Sequence, residues 1–187
     1  MARGTVSWTA STVSAARSHG RRTSDLPLLS ARAMDKHVDL GYDGATPASR
    51  GVLLQGNPTL LKEMIRNLLD NAVAYTPSSA QQPGVVTARV LADPFGNVLV
   101  LQVEDNGPGI AEVERELVFQ PFYRALGTNV DGSGLGLPIV REIAHQHKAE
   151  ISLEDARPGH TPPGTRVTVR FHVTAAAPAE AGELQAS

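Results

Sequence analysis

TLLKEMIRNLLDNAVAYT, Thr59 to Thr76, reads as one amphipathic helix. Leu61, Met64, Ile65, Leu68, Leu69, Ala72 and Val73 recur at three- and four-residue spacing, which lines them up as a single core-facing stripe. Asn57 can cap the start, and Pro58 suits the first helical position because its missing N–H would be unbonded there anyway. Glu63, Asn67 and Asn71 lie four apart and stack along another face. Two amides in line have a plain explanation, a solvated surface, and nothing inside the helix argues for more.

Working forward, Pro77–Gly84 is a polar turn, after which Val85–Ala92 and Asn97–Asp105 form two strands joined by the hairpin-type loop DPFGN. Residues 111–119, AEVERELVF, are expected to form a short helix, and Gln120–Gly134 an irregular segment of lid length. Leu135–Lys148 is the second strong helix, with Leu135, Ile139, Ile143 and Ala144 inward. Glu150–Glu154 and Thr165–Val173 close the chain as strands, the last with Val167, Val169, Phe171 and Val173 alternating with Arg166, Thr168, Arg170 and His172. Working back, Val52–Gln55 is a short strand, 41–51 a loop or strand connection, and Leu26–Leu40 holds a short helix leading into VDL. The order helix, hairpin, lid, helix, hairpin separates helices from strands. It predicts a two-layer α/β sandwich rather than a doubly wound parallel sheet.

Composition sets the outer bounds. The hydrophobic fraction of 41% is ordinary for a soluble domain, and aromatics at 4% leave the core to Leu, Val, Ile and Ala. A formal net charge of −2 argues against nucleic acid as a partner, and the absence of cysteine excludes disulfides and thiolate metal sites. No apolar run approaches the roughly 20 residues of a membrane-spanning helix, so this chain is expected to make no membrane contact of its own. Residues 1–25 are rich in Ser, Thr, Ala and Arg, carry Asp25 as their sole acid and hold the only tryptophan, Trp8. They read as a disordered or atypical leader, with an organelle transit peptide as the alternative. Residues 26–173 make the domain, and 174–187 a disordered tail.

Two glycine-bearing segments change the meaning of the helix. Asp105-Asn106-Gly107-Pro108-Gly109 places a carboxylate at the end of an apolar strand, with glycines that let a ligand approach the backbone; a tight turn after a strand is the plainer alternative. Gly132-Ser133-Gly134-Leu135-Gly136-Leu137 runs directly into a helix, whose N-terminus offers bare N–H groups and positive partial charge to phosphate. Its G-x-G-x-G spacing is neither the dinucleotide fingerprint nor the P-loop, and no Lys follows it.

Taken together and in order, these segments resemble the catalytic and ATP-binding domain of sensor histidine kinases, within the superfamily shared with DNA gyrase, heat-shock chaperone and mismatch-repair ATPases. NLLDNAVAYTP matches the family's N box, VEDNGPGI the G1 box, VFQPFYRA the F box and GSGLGLPIV the G2 box. The four span Asn67–Val140, with looser similarity from about Leu28 to Val173.

The resemblance implies an α+β fold of the Bergerat type, with a mixed sheet covered on one face by helices and a mobile ATP lid, together with ATP and Mg²⁺ as ligands and roles for particular residues. Asn71 would offer its side-chain oxygen to Mg²⁺, which takes one or two protein oxygens and the rest from phosphates and water. Asn67 would lie one turn earlier near the phosphates. Relatives of the gyrase type carry a glutamate there, and an amide cannot act as a general base, so transfer to another acceptor is favoured over hydrolysis. Glu63 is read as solvated or structural. Asp105 would accept the adenine amino group, with Gly107, Gly109 and Ile110 shaping the pocket, and Tyr75 would line it. Gly132, Gly134 and Gly136 would hinge the lid and, with Ser133, Leu135 and Leu137, border the triphosphate. Phe119, Phe122 and Tyr123 would pack the lid, and Arg124 is divided between a phosphate contact and a surface salt bridge. A lysine that is common just before Tyr75 is Ala74 here, which puts one expected phosphate contact in doubt.

The acceptor histidine is not evident. His19 is followed by Gly20-Arg21-Arg22 rather than by an acid and a Thr/Ser-Pro stretch. His145 and His147 are two apart, which in a helix points them about 200° apart around the axis and away from a shared metal. The expectation is therefore a cytoplasmic ATP-binding catalytic domain of a two-component kinase, a fragment without sensor, membrane spans or phosphoacceptor helix. It would transfer the γ-phosphoryl group to a histidine on a separate dimerisation domain and act with a response regulator. A nucleotide-binding module without phosphotransfer is the alternative, and an ATP-driven clamp is disfavoured by Asn67.

Overall fold

The computed structural model describes residues 4–7, 26–44, 53–79, 81–92, 97–124 and 132–172. The expected disordered tail 174–187, the Trp8 region and the middle of the expected lid lie outside the described residues. Strands β1 (Gly4–Ser7), β2 (Val38–Gly44), β3 (Leu53–Gly56), β4 (Gly84–Ala92), β5 (Val98–Asp105), β6 (Glu150–Asp155) and β7 (Thr165–His172) are accompanied by helices α1 (Leu26–Asp35), α2 (Pro58–Tyr75) and α3 (Gly136–Gln146). Within the stretch read as a leader, β1 pairs antiparallel with β3, from Gly4 opposite Gly56 to Ser7 opposite Leu53.

The main sheet has the order β2-β4-β5-β7-β6. Only the β2–β4 pair is parallel, because the chain returns from β2 to β4 through β3 and α2; the remaining neighbours are antiparallel. This is the two-layer arrangement anticipated from the element order, with the mixed sheet that the family resemblance implies. Register sorts the side chains by face. Ala88 stands opposite Val103, Leu101 opposite Val169 and Leu99 opposite Phe171, and all six are buried in the one core that also takes in α2 and α3. The other face is polar. There Glu104 opposes Arg166 and bonds both it and Arg89, and Arg166 also reaches Glu154 at 3.7 Å. Burial alone would raise the Glu104 pKa, but the two guanidinium groups outweigh it and hold the carboxyl below its ordinary range.

Helix α2 supplies the largest share of the core: Leu61, Met64, Ile65, Leu68, Leu69, Ala72 and Val73 are all buried, the same seven that the periodicity picks out. Asn57 caps it, its side-chain oxygen accepting from Thr59 N at 3.0 Å and Leu60 N at 3.3 Å, with Pro58 opening the first turn. The far end is closed by Lys36 from the α1–β2 turn, whose Nζ donates to the carbonyls of Val73 at 3.0 Å and Ala74 at 2.6 Å.

Two expectations need correction. Residues 111–119 are two separate 3₁₀ turns, Glu112–Glu114 and Leu117–Phe119, not one helix. Only Val118 and Phe119 are buried there, and two adjacent residues cannot form the i, i+3, i+4 stripe that holds a surface helix to a core. In α3 the inward residues are Val140, Ile143 and Ala144, while Ile139 is exposed. The helix starts at Gly136, and packing this three-turn rod on α2 selects the 140/143/144 edge. It ends where Lys148 adopts a left-handed φ of 53°.

Candidate functional site

A cleft with a cavity volume of about 240 Å³ opens between the polar face of α2, the ends of β5 and β7, and the start of α3. From α2 it is lined by Asn67, Asn71 and Tyr75, and from the turn after β5 by Asp105, Gly109 and Ile110. The glycine-rich approach to α3 contributes Gly132, Ser133, Gly134, Gly136 and Leu137, and Arg124 closes the side. Segments far apart in sequence are thus drawn to one place.

Asp105 is held at the floor of the cleft. Its Oδ1 accepts the backbone N–H of Gly107 at 2.8 Å and of Thr165 at 3.1 Å. Burial pushes its carboxyl pKa up, and the bonds from Gly107 and Thr165 only partly offset this. Gly107 does not line the cleft as anticipated. It is buried beneath, where a Cβ would stand 3.0 Å from Asp105 Oδ1 and 3.1 Å from the Tyr75 carbonyl, so it acts through Asp105. Gly109, at φ +80°, would press a Cβ to 2.6 Å from Pro163. Asn106 pins the same turn to the edge of β4, its Oδ1 accepting from Val85 N at 2.8 Å.

Asn71 sits at the mouth of α3. A Cβ on Gly136 would come within 2.7 Å of Asn71 Nδ2 and 2.9 Å of its Oδ1, so the helix start reaches the amide only because residue 136 is glycine. The Asn71 Nδ2 is buried without a hydrogen-bond partner, an arrangement that costs free energy unless something else satisfies it. One turn back, Asn67 is oriented by Glu63, donating from Nδ2 to its carbonyl at 2.8 Å and its Oε1 at 3.1 Å. This leaves the Asn67 oxygen as the acceptor facing away from Glu63, with the amide orientation assigned from the bonding.

The two described ends of the segment expected to form the lid meet at a stem. Phe122 N donates to the Gly134 carbonyl at 3.0 Å, and Gly134, at φ +69°, lies so close that a Cβ would stand 2.8 Å from the Phe122 carbonyl carbon. Phe119 is buried with Arg141 of α3 over its ring at 5.5 Å, and Tyr123 donates its hydroxyl to Glu114 at 2.9 Å. Phe122 departs from the expected packing: it is 73% exposed with a left-handed φ of 67°, because its backbone rather than its ring meets Gly134. Leu135 precedes α3 and does not line the cleft; residues 125–131 are outside the described set.

Several contributors carried no sequence signal. Thr165 and Gly164 arrive from β7, where a Cβ on Gly164 would collide with the Asp105 carbonyl and Gly164 N donates to Gly107 O at 3.0 Å. Gly164 sits in a run, TPPG, that reads as a simple turn. His147 is also structural rather than idle: its Nε2 accepts from Asn57 N at 3.1 Å, which requires the other ring nitrogen to donate to the Ile143 carbonyl at 2.8 Å. Among the described residues, no group of three or more His, Cys, Asp or Glu side chains is placed to hold a metal ion, and no helix is long and apolar enough to cross a membrane.

Residues 56–175 match the family described as histidine kinase-, DNA gyrase B-, and HSP90-like ATPase. The chain is 42% identical over 117 residues to the signal transduction histidine-protein kinase/phosphatase MprB of Mycobacterium sp. (strain KMS), covering 62% of this chain and 22% of that protein. It is 37% identical over 126 residues to the sensor protein kinase PmrB of Pseudomonas aeruginosa, covering 67% and 24%. The chain thus spans less than a quarter of these relatives' length. In structure it resembles a mycobacterial sensor histidine kinase MprB with a TM-score of 0.72 at 26% identity, over 90% of this chain and 97% of that one. The catalytic domain of histidine kinase ThkA gives a TM-score of 0.69 over 92% and 96%, and at 19% identity this likeness concerns the fold alone.

Proposed function

The chain belongs to the family of histidine kinase-, DNA gyrase B- and HSP90-like ATPases, as an ATP-binding catalytic domain of the sensor histidine kinase kind, and from that premise we propose that it transfers the γ-phosphoryl group of ATP to a histidine on a dimerisation domain. The phosphorylated histidine would then serve a response regulator. The observation that carries the reading is Asn71, an amide buried against Gly136 with an unpartnered Nδ2, in the same cleft as the desolvated Asp105. An amide needing a partner at one end and a carboxylate at the other suit a ligand with a polar base and a charged tail.

Asp105 would accept from the exocyclic amine of the base, its carboxylate oriented by the two backbone bonds on Oδ1. Asn67, held by Glu63, and the bare N–H groups at the start of α3 would face the phosphates. Asn71 would hold Mg²⁺ through its side-chain oxygen. A magnesium ion would neutralise phosphate charge, and one neutral oxygen suffices because the ion takes most of its ligands from phosphate and water. Neither amide can deprotonate water, which favours phosphotransfer over hydrolysis. With the nucleotide positioned and its charge balanced, the acceptor histidine completes the reaction as an in-line nucleophile from outside this domain.

The test is to mix the purified chain with Mg²⁺, ATP labelled in the γ-phosphoryl group and a separately produced dimerisation domain. Acid-labile label on the histidine of that domain is the expected result. Tight ATP binding with no label on histidine would leave a nucleotide-binding module and end the kinase proposal.

A further inference from the structure

We infer that Arg32, on a helix outside the family-matched segment, is a phosphate-contacting residue of the nucleotide cleft. The inference rests on the ATP reading above and adds to it a cation contributed by α1.

Arg32 lines the cleft together with Asn67, Asp70, Asn71 and Ala74. Its Nη1 donates to Asp70 Oδ1 at 3.2 Å, which ties the guanidinium to the polar side of α2 while leaving the side chain 56% exposed. The level at which it is tied matters. At a rise of about 1.5 Å per residue, Asp70 lies roughly 7 Å along the axis from Tyr75, level with Asn71 rather than with the Asp105 end. Arg32 therefore stands beside the amides, where the charged part of a nucleotide would lie.

The local charge balance favours an anion. Asp70 also receives Arg66, Nε to Oδ2 at 3.6 Å, so two guanidinium groups share one carboxylate. Lys36 adds a further cation on the same flank, where its Nζ is bonded to carbonyls of Val73 and Ala74. A guanidinium offers five N–H donors in a flat fork, and Asp70 uses one edge of it. The fork can therefore meet phosphate oxygens while Asp70 keeps it in place. Ala74 lies one turn beyond Asp70 on the same wall and brings no charge of its own.

The test uses the full 187-residue chain and reads ATP affinity by calorimetry in the presence of Mg²⁺. Arg32→Gln removes the guanidinium and leaves a shorter polar side chain, and it should weaken ATP binding about five- to tenfold; the solvent-exposed pair with Asp70 contributes little to stability, so the thermal midpoint should stay near that of the parent. Arg32→Lys should recover part of the loss. Ala74→Lys, added to Arg32→Gln, should recover affinity from a different position, which a merely structural tether between α1 and α2 could not do. Unchanged ATP affinity in Arg32→Gln overturns the inference, as does a loss that neither lysine restores. Failure of the unaltered chain to bind ATP at all is a different result: it removes the nucleotide reading itself, and this inference with it.

Discussion

Asn71 shows how far a single side chain can be read. The four-residue spacing put it in line with Asn67, but only Gly136, arriving from the other end of the cleft, turns it from a wetted amide into a buried one lacking a partner. Asn71→Ala should abolish the Mg²⁺-dependent part of ATP binding with a thermal midpoint near that of the parent, and calorimetry with and without Mg²⁺ checks it. Asp105 makes a second prediction. Burial, partly offset by the bonds from Gly107 and Thr165, raises its pKa, so the acceptor form is lost on acidification earlier than for an ordinary aspartate. ATP affinity should fall as pH drops through that raised value, and Asp105→Asn should flatten the profile. An equally steep profile in the variant would assign the pH dependence to another group.

The elements differ in how openly they are written. Helix α2 carries its cap, its proline and its seven buried residues in plain sequence, and Asn57→Ala should cost about 1 kcal/mol in urea unfolding, as the loss of a side-chain N-cap does. The segment 111–119 has helix-forming composition but no stripe to bury, and it breaks into two turns pinned by Arg115, which donates to Ile110 O at 3.2 Å and pairs with Asp155 at 2.6 Å. The lid stem is an element that sequence could name but not assemble. Gly134→Ala places a Cβ in a left-handed residue against the Phe122 backbone, at a cost of about 1–3 kcal/mol confined to the stem. Hydrogen exchange at the Phe122 amide should accelerate, while amides of α2 exchange as before.

At the scale of the molecule, the sheet's outer face holds a charge network that contributes to acid stability. The Glu104 carboxyl is held below its ordinary range, so its contribution is fully present above the ordinary carboxylate pKa and is lost as pH falls through the lowered value. Asp105, raised, has the opposite sign: its contribution is whole at acid pH and is lost as pH rises through the raised value. Glu104→Gln should lessen the acid-side decline in the denaturation midpoint, a comparison best made by titrating both proteins in urea. The layering of helices against strands, the buried face of α2 and the four motif segments are legible along the chain, because periodicity, caps and glycine spacing are local properties. What those segments meet depends on packing: Gly164 and Thr165 under Asp105, His147 on Asn57, Lys36 at the end of α2 and Arg32 on the cleft wall. Each of those contacts joins residues distant in the chain, and no spacing rule reports which of two remote polar groups packing will bring together. The stacked amides of α2 were visible from the start; the partner that buries one of them arrives only when the chain folds.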